Sequence, residues 1–257
     1  RLDSAPATTL SFVENISKSS FVDSFSIASQ ETFPEGLAFN SDGTKMFIVG
    51  RSGIAGDAVY EYTLSTGFNV SSATYVQNFS VATQDTNPFD IAFNTDGTKM
   101  FVVGRTNDNV YEYALTTGFD ISTASYTQAF SIASQETNAS ALSFNTDGTK
   151  MFVLGGTGLD VNEYALSTGF DVSTASFTDA FSISSQETQP QGMTFNTDGT
   201  KMFICGFAND SVFEYILSTG FDVSTASYSS VSFSVSAQDG TPSGIEFSTD
   251  GSKMFIV

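Results

Sequence analysis

The chain has 257 residues, 40% of them apolar and 14% charged, with 28 acidic against 9 basic side chains and a formal net charge of −19. A surface of that sign repels nucleic-acid phosphates and anionic lipid, so neither is expected as a partner. With no histidine and one cysteine, Cys205, the sequence cannot assemble a Ser-His-Asp triad, a Cys-His pair, an internal disulfide or a His- or Cys-rich zinc site.

The first 30 residues read as the tail of a repeating unit. Phe21 to Ala28 matches Tyr126 to Ala133 and Phe177 to Ser184, and Thr9 to Val13 is the expected strand before it. A full unit follows from Pro34 to Ala82. Gly36 to Asn40 is a strand, A. Ser41-Asp42-Gly43-Thr44 is a tight turn in which Gly supplies a positive φ and Asp bonds nearby backbone. Met46 to Gly50 is strand B, apolar on both faces. Arg51 to Asp57 is a loop, Val59 to Leu64 is strand C, and a long connection leads to strand D from Tyr75 to Ala82. The Asp-Gly turn returns at Gly97, Gly148, Gly199 and Gly251, in steps of 54, 51, 51 and 52 residues.

Repeats of this period, each with four short strands punctuated by Gly, Asp and Asn, indicate a β-meander array. Strand B must be covered on both faces, as radially stacked propeller blades cover it. The expectation is therefore an all-β, five-bladed β-propeller of four-stranded antiparallel blades, forming one domain over 1–257. Its blades fall near 34–82, 88–133, 139–184, 190–236, and 242–257 plus 9–28, so that N-terminal strands complete the C-terminal blade and close the ring. Phe recurs on strands A, B and D, where blade-to-blade packing is its expected role. No apolar run approaches the roughly 18 residues of a membrane helix, so membrane insertion is not expected either.

The run Asp-Gly-Thr-Lys-Met-Phe, followed by Val-Tyr-Glu-Tyr-x-Leu-Ser-Thr-Gly-Phe-Asp-Val-Ser-Thr-Ala-Ser, resembles a propeller repeat of about 50 residues. Repeats similar to it occur in bacterial surface proteins and in proteins of marine bacteria and their phages. It is more distantly similar to YVTN and TolB-type propellers. The resemblance implies a propeller in an extracellular, cell-surface or virion setting, within a larger assembly.

Candidate chemistry falls to carboxylates and the variable loops. Glu31, Asp85, Glu136, Glu187 and Asp239 recur where strand D leads into the next strand A. A ring of them would attract a divalent cation such as calcium, or each acid would satisfy backbone groups of its own blade junction. Asp90 and Glu246 break the symmetry on strand A, where other copies carry small residues. They are the candidate pair for a carboxylate glycosidase, with Glu31 or Asp239 assisting. Glutamates of strand C and the turn lysines are expected to pair across strands, for under about 1 kcal/mol each. The B–C loops vary most, and Arg51, Arg105, Asp108, Asp160, Phe207 and Asp210 are the candidate ligand-binding residues. The favoured function is a non-catalytic module recognising a glycan or a protein partner. A glycoside hydrolase and a calcium-stabilised scaffold are the alternatives, and no enzymatic activity is expected.

Overall fold

The computed structural model describes residues 7–11 and 16–257, with side chains from residue 16 onward. Two strands come first, β1 (Ala7–Ser11) and β2 (Ser20–Phe25). Then β3 (Pro34–Phe39), β4 (Lys45–Gly53), β5 (Gly56–Leu64) and β6 (Ala73–Ser80) form a four-stranded antiparallel sheet in sequence order. The same meander repeats as β7 (Pro88–Phe93), β8 (Lys99–Gly104), β9 (Asn109–Leu115) and β10 (Ala124–Ser131). It repeats again as β11 (Ala139–Phe144), β12 (Lys150–Gly155), β13 (Asp160–Leu166) and β14 (Ala175–Ser182). A further copy is β15 (Pro190–Phe195), β16 (Lys201–Gly206), β17 (Ser211–Leu217) and β18 (Ala226–Ser234).

Those four sheets are each continuous in sequence. Another four-stranded sheet is composite, with β19 (Ile245–Phe247) and β20 (Lys253–Ile256) continued by β1 and β2. β20 and β1 pair antiparallel, Ile256 opposite Thr8 and Lys253 opposite Ser11. Of the strand expected over 9–13, Phe12 and Val13 lie outside the described residues. The fold is thus an all-β propeller of antiparallel four-stranded blades.

The first strand of each sheet lies against its neighbours' first strands: β3 meets β7, β7 meets β11, β11 meets β15, β15 meets β19, and β19 meets β3. Every strand B is buried along its apolar run, Met46 to Gly50 and its counterparts, because a blade presses on each face. Phe is the filler. Phe47 packs on Phe93 of the following sheet at a centroid distance of 4.5 Å, and Phe79 meets Tyr113 edge-on at 5.7 Å. Cys205, in the same layer, is wholly buried, and burial pushes its thiol up.

The Asp-Gly turn works as its residues dictate. Asp42 Oδ1 accepts from the backbone N–H of Thr44 at 2.9 Å and from its hydroxyl at 2.5 Å. Gly43 sits at φ +69°, under the ring of Phe68. The first B–C connection differs from the expected open loop. β4 and β5 extend until Gly53 pairs with Gly56, a longer hairpin made from the extra residues of the 54-residue step.

The Lys–Glu pairs also differ from a simple cross-strand contact. Lys99 Nζ reaches Glu112 Oε1 at 2.7 Å, but it also donates to the Phe170 carbonyl of the next blade at 2.5 Å. Glu112 Oε2 accepts from Val172 N–H of that blade at 3.2 Å and from Gln128 at 2.8 Å. Phe170 stands at φ +56°, which turns its carbonyl toward the lysine. Lys45 with Glu61 and Lys150 with Glu163 repeat the arrangement. These groups clasp neighbouring blades, so the surface-pair value expected from sequence is too low. In the composite sheet Lys253 Nζ donates to the Phe68 carbonyl at 2.7 Å. There Thr9 stands opposite Phe255, the register held elsewhere by the glutamate.

Candidate ligand-binding site

Each strand A runs from the face that carries the B–C loops toward the face that carries the Asp-Gly turns. The loop-bearing face holds a cup of about 630 Å³ around the mouth of the axis, within the ordinary size range of small-ligand sites. Three positions of each copy build it. The residue three after each Gln-acid pair's glutamine reads Phe33, Asn87, Asn138, Gln189 and Thr241. The residue two places further on reads Glu35, Phe89, Ser140, Gln191 and Ser243. The first residue of the B–C loop reads Arg51, Arg105, Gly156 and Phe207. Most of these side chains line the cup. Between them, the Gln-acid pair and the strand-B glycine scarcely change from copy to copy.

The acids at the blade junctions support this rim. Glu31 Oε1 accepts from the N–H of Phe33 at 2.7 Å and of Ser52 at 3.1 Å. Glu136 and Glu187 hold Asn138 with Thr157 and Gln189 with Ala208 in the same way. Asp85 does so for Asn87 and Thr106, and Asp239 receives Thr241 N–H at 2.8 Å. Each therefore braces its own D-to-A turn, usually against its own B–C loop. The second oxygens of Glu31, Glu187 and Asp239 are buried without a partner among the described residues. Of the two readings of these acids, this geometry matches the one in which each satisfies backbone groups of its own blade junction. Among the described residues no three Asp, Glu or Cys side chains come close enough to share an ion.

Arg51 and Arg105 converge on one ring. The Arg105 guanidinium carbon lies 3.3 Å from the Phe89 centroid and that of Arg51 lies 5.0 Å from it, both within cation–π range. Arg51 Nε donates to Glu35 Oε1 at 2.6 Å, its Nη2 reaches the same oxygen, and its Nη1 donates to Asn87 Oδ1 at 3.3 Å. Glu35 is buried beneath it. Burial raises its pKa, and the Arg51 charge opposes that rise.

Of the residues expected to bind ligand, the cup gathers Arg51, Arg105 and Phe207. Asp108, Asp160 and Asp210 stand outside it, where strand C begins. Asp108 and Asp210 take left-handed φ values of 52° and 44°, while Asp160 accepts from Asn162 Nδ2 at 2.8 Å. They shape the hairpins. Sequence reading missed Phe33, Glu35, Asn87, Phe89, Asn138 and Gln191, which are legible as the positions where otherwise similar copies disagree.

Asp90 and Glu246 meet in a different cavity, an axial pocket of about 330 Å³ that opens between the Asp-Gly turns. Asp90 accepts from Ile91 N–H and from Leu142 N–H of the next blade, each at 2.8 Å. Burial pushes its pKa well above the ordinary value despite these bonds. Glu246 Oε1 accepts from Phe247 N–H at 2.8 Å and from the Thr194 hydroxyl at 3.2 Å, and burial pushes its carboxyl up to about 7. Glu31 and Asp239 do not line this pocket, so they cannot assist the pair as expected.

No family model matches the chain, and no curated protein does. Among solved structures it is similar to a protein from Bacteroides uniformis named "putative 6-phosphogluconolactonase", at 13% identity and a TM-score of 0.54. That match covers 99% of this chain and 75% of the other. A protein of the same name from Bacteroides fragilis matches at 12% identity and a TM-score of 0.54, covering 98% and 74%. A functionally unknown protein from Desulfotomaculum acetoxidans matches at 14% identity and a TM-score of 0.52, covering 97% and 72%. Likeness at this identity shows the fold. It also corrects the ground for expecting no enzyme, because this fold is shared with proteins named for an enzymatic activity. That expectation rested on near-identical blades and the absence of histidine, whereas two neighbours of this fold carry the name "putative 6-phosphogluconolactonase".

Proposed function

We propose that the protein is a sugar-binding propeller whose ligand seats in the loop-face cup. The composite sheet serves as a fifth blade that closes the ring and completes the cup with Thr241 and Ser243. The observation that carries this reading is the asymmetry of the cup. Copies that agree in turn, strand and clasp residues differ at the three positions that face the cavity. A packing role alone gives no reason for the disagreement to fall there. The side chains suit a polyhydroxylated ligand. Asn138 and Gln191 offer amide donors and acceptors, and Phe33, 43% exposed, and Phe207 offer ring faces at the rim.

The test is a titration of neutral and acidic mono- and oligosaccharides, with 6-phosphogluconolactone included because the fold's neighbours carry that name. Saturable binding is expected for at least one sugar, weakened about tenfold or more in Asn138→Ala/Gln191→Ala, since two ligand hydrogen bonds are lost. Release of acid from the lactone, lost in the same variant, would place hydrolysis in the cup. Binding that survives the double substitution unchanged would remove the cup from the account.

A further inference from the structure

Resting on the cup as the ligand site, we propose that its ligand carries a carboxylate, as a uronic-acid sugar does, and that Arg105 holds this group end-on through its two terminal nitrogens. Arg105 is the cup's uncommitted cation. Its Nε donates to the Ala139 carbonyl at 2.6 Å and its plane lies over Phe89, which fixes the direction of the guanidinium. Among the described residues no acceptor pairs with its two terminal nitrogens, and those nitrogens present parallel N–H donors matched to a carboxylate edge.

Arg51 is differently placed. It is committed to Glu35 and Asn87, and this pairing answers the Glu35 charge. Of the charged side chains lining the cup, one positive charge is left in excess, in a chain whose net charge is −19. The excess lies on Arg105. Burial pushes its pKa down to about 10, so it stays charged at neutral pH while lacking the solvation of an exposed arginine. A counter-ion supplied by the ligand relieves that cost. One available fork fits a planar monoanion. A phosphate dianion would call on a second free cation, which the Arg51–Glu35 pair withholds.

The experiment is calorimetric titration of D-glucuronate and of methyl β-D-glucopyranoside against the wild type, Arg105→Lys, Arg105→Ala and Asn138→Ala, with circular dichroism confirming that each variant is folded. The expected result is glucuronate binding roughly 10- to 100-fold tighter than the neutral glycoside, as a charge-assisted pair gives. Arg105→Ala should remove that preference. Arg105→Lys keeps the charge but loses the fork, and should leave glucuronate about tenfold weaker. Equal binding of the two sugars, weakened in Asn138→Ala, would overturn the carboxylate anchor and leave the cup as the site. A preference that persists in both Arg105 variants would overturn it as well. So would failure of glucuronate to saturate in the millimolar range. Glucuronate binding lost in Arg105→Ala but untouched in Asn138→Ala would keep the anchor and place the sugar ring away from the amides.

Discussion

Glu112→Ala is expected to lower stability by about 3 kcal/mol, the loss typical of removing one partner from a buried ion pair. Glu112 is 4% exposed and serves two blades at once. Its Oε1 takes the Lys99 ammonium, while its Oε2 takes Val172 N–H across the interface and the Gln128 amide. Removing the carboxylate takes an acceptor from three donors, one of them charged, and leaves Val172 N–H without one, while Gln128 keeps its bond to Asp171 Oδ1 at 2.8 Å. Lys99 keeps its bond to the Phe170 carbonyl and some access to water, which holds the loss near the low end of the buried-pair range. Glu112→Gln retains an acceptor for Val172 and should cost about 1–2 kcal/mol. Urea unfolding of the two variants beside the wild type measures both values. A loss below about 1 kcal/mol for Glu112→Ala would mean that the group behaves as an exposed surface pair.

Gly155→Ala is the second large effect, also about 3 kcal/mol, and it reaches the cup. A Cβ at this position would overlap the carboxylate of Glu136. Glu136 is fully buried and accepts from Asn138 N–H at 2.6 Å and from the N–H groups of Thr157 and Gly158 at 3.2 Å. The acid must move, and three backbone donors lose their buried acceptor. Overpacking and unmet hydrogen bonds both contribute. Asn138 is set by this brace, so sugar binding should weaken together with stability. Gly240→Ala is the control, because a Cβ there has open space around it, and its change should stay within about 0.5 kcal/mol. Equal melting temperatures for Gly155→Ala and Gly240→Ala would contradict the role given to Glu136.

The repeat made most of the fold legible. A strand with no polar face, Met46 to Gly50, demands cover on both sides, and Phe at fixed places in every copy marks where blades meet. The Asp-Gly turn could be read from local chemistry alone, since Gly43 needs its positive φ and Asp42 needs only its neighbour Thr44. Inter-blade bonds were harder to see. Glu112 and Val172 are 60 residues apart, and nothing in either segment names the other as partner. The buried acids left two readings open in the sequence, an ion ring or backbone bracing, and the structure shows the bracing. Five carboxylates repeated around an axis suggest an ion, yet each is bound to the backbone of its own turn, and backbone donors leave no mark in a sequence. The cup was half legible. Arg51, Arg105 and Phe207 stood out in a loop of changing sequence, whereas Asn138 directly precedes a strand and Gln191 lies within one, where no local signal marks either for binding.

The most direct test of the cup is a crystal structure with the tightest-binding sugar of the titration. The account predicts the sugar on the loop-bearing face, hydrogen-bonded to Asn138 or Gln191 and resting against Phe33 or Phe207. A sugar seated in the axial pocket against Asp90 and Glu246, or along an outer strand, would contradict it.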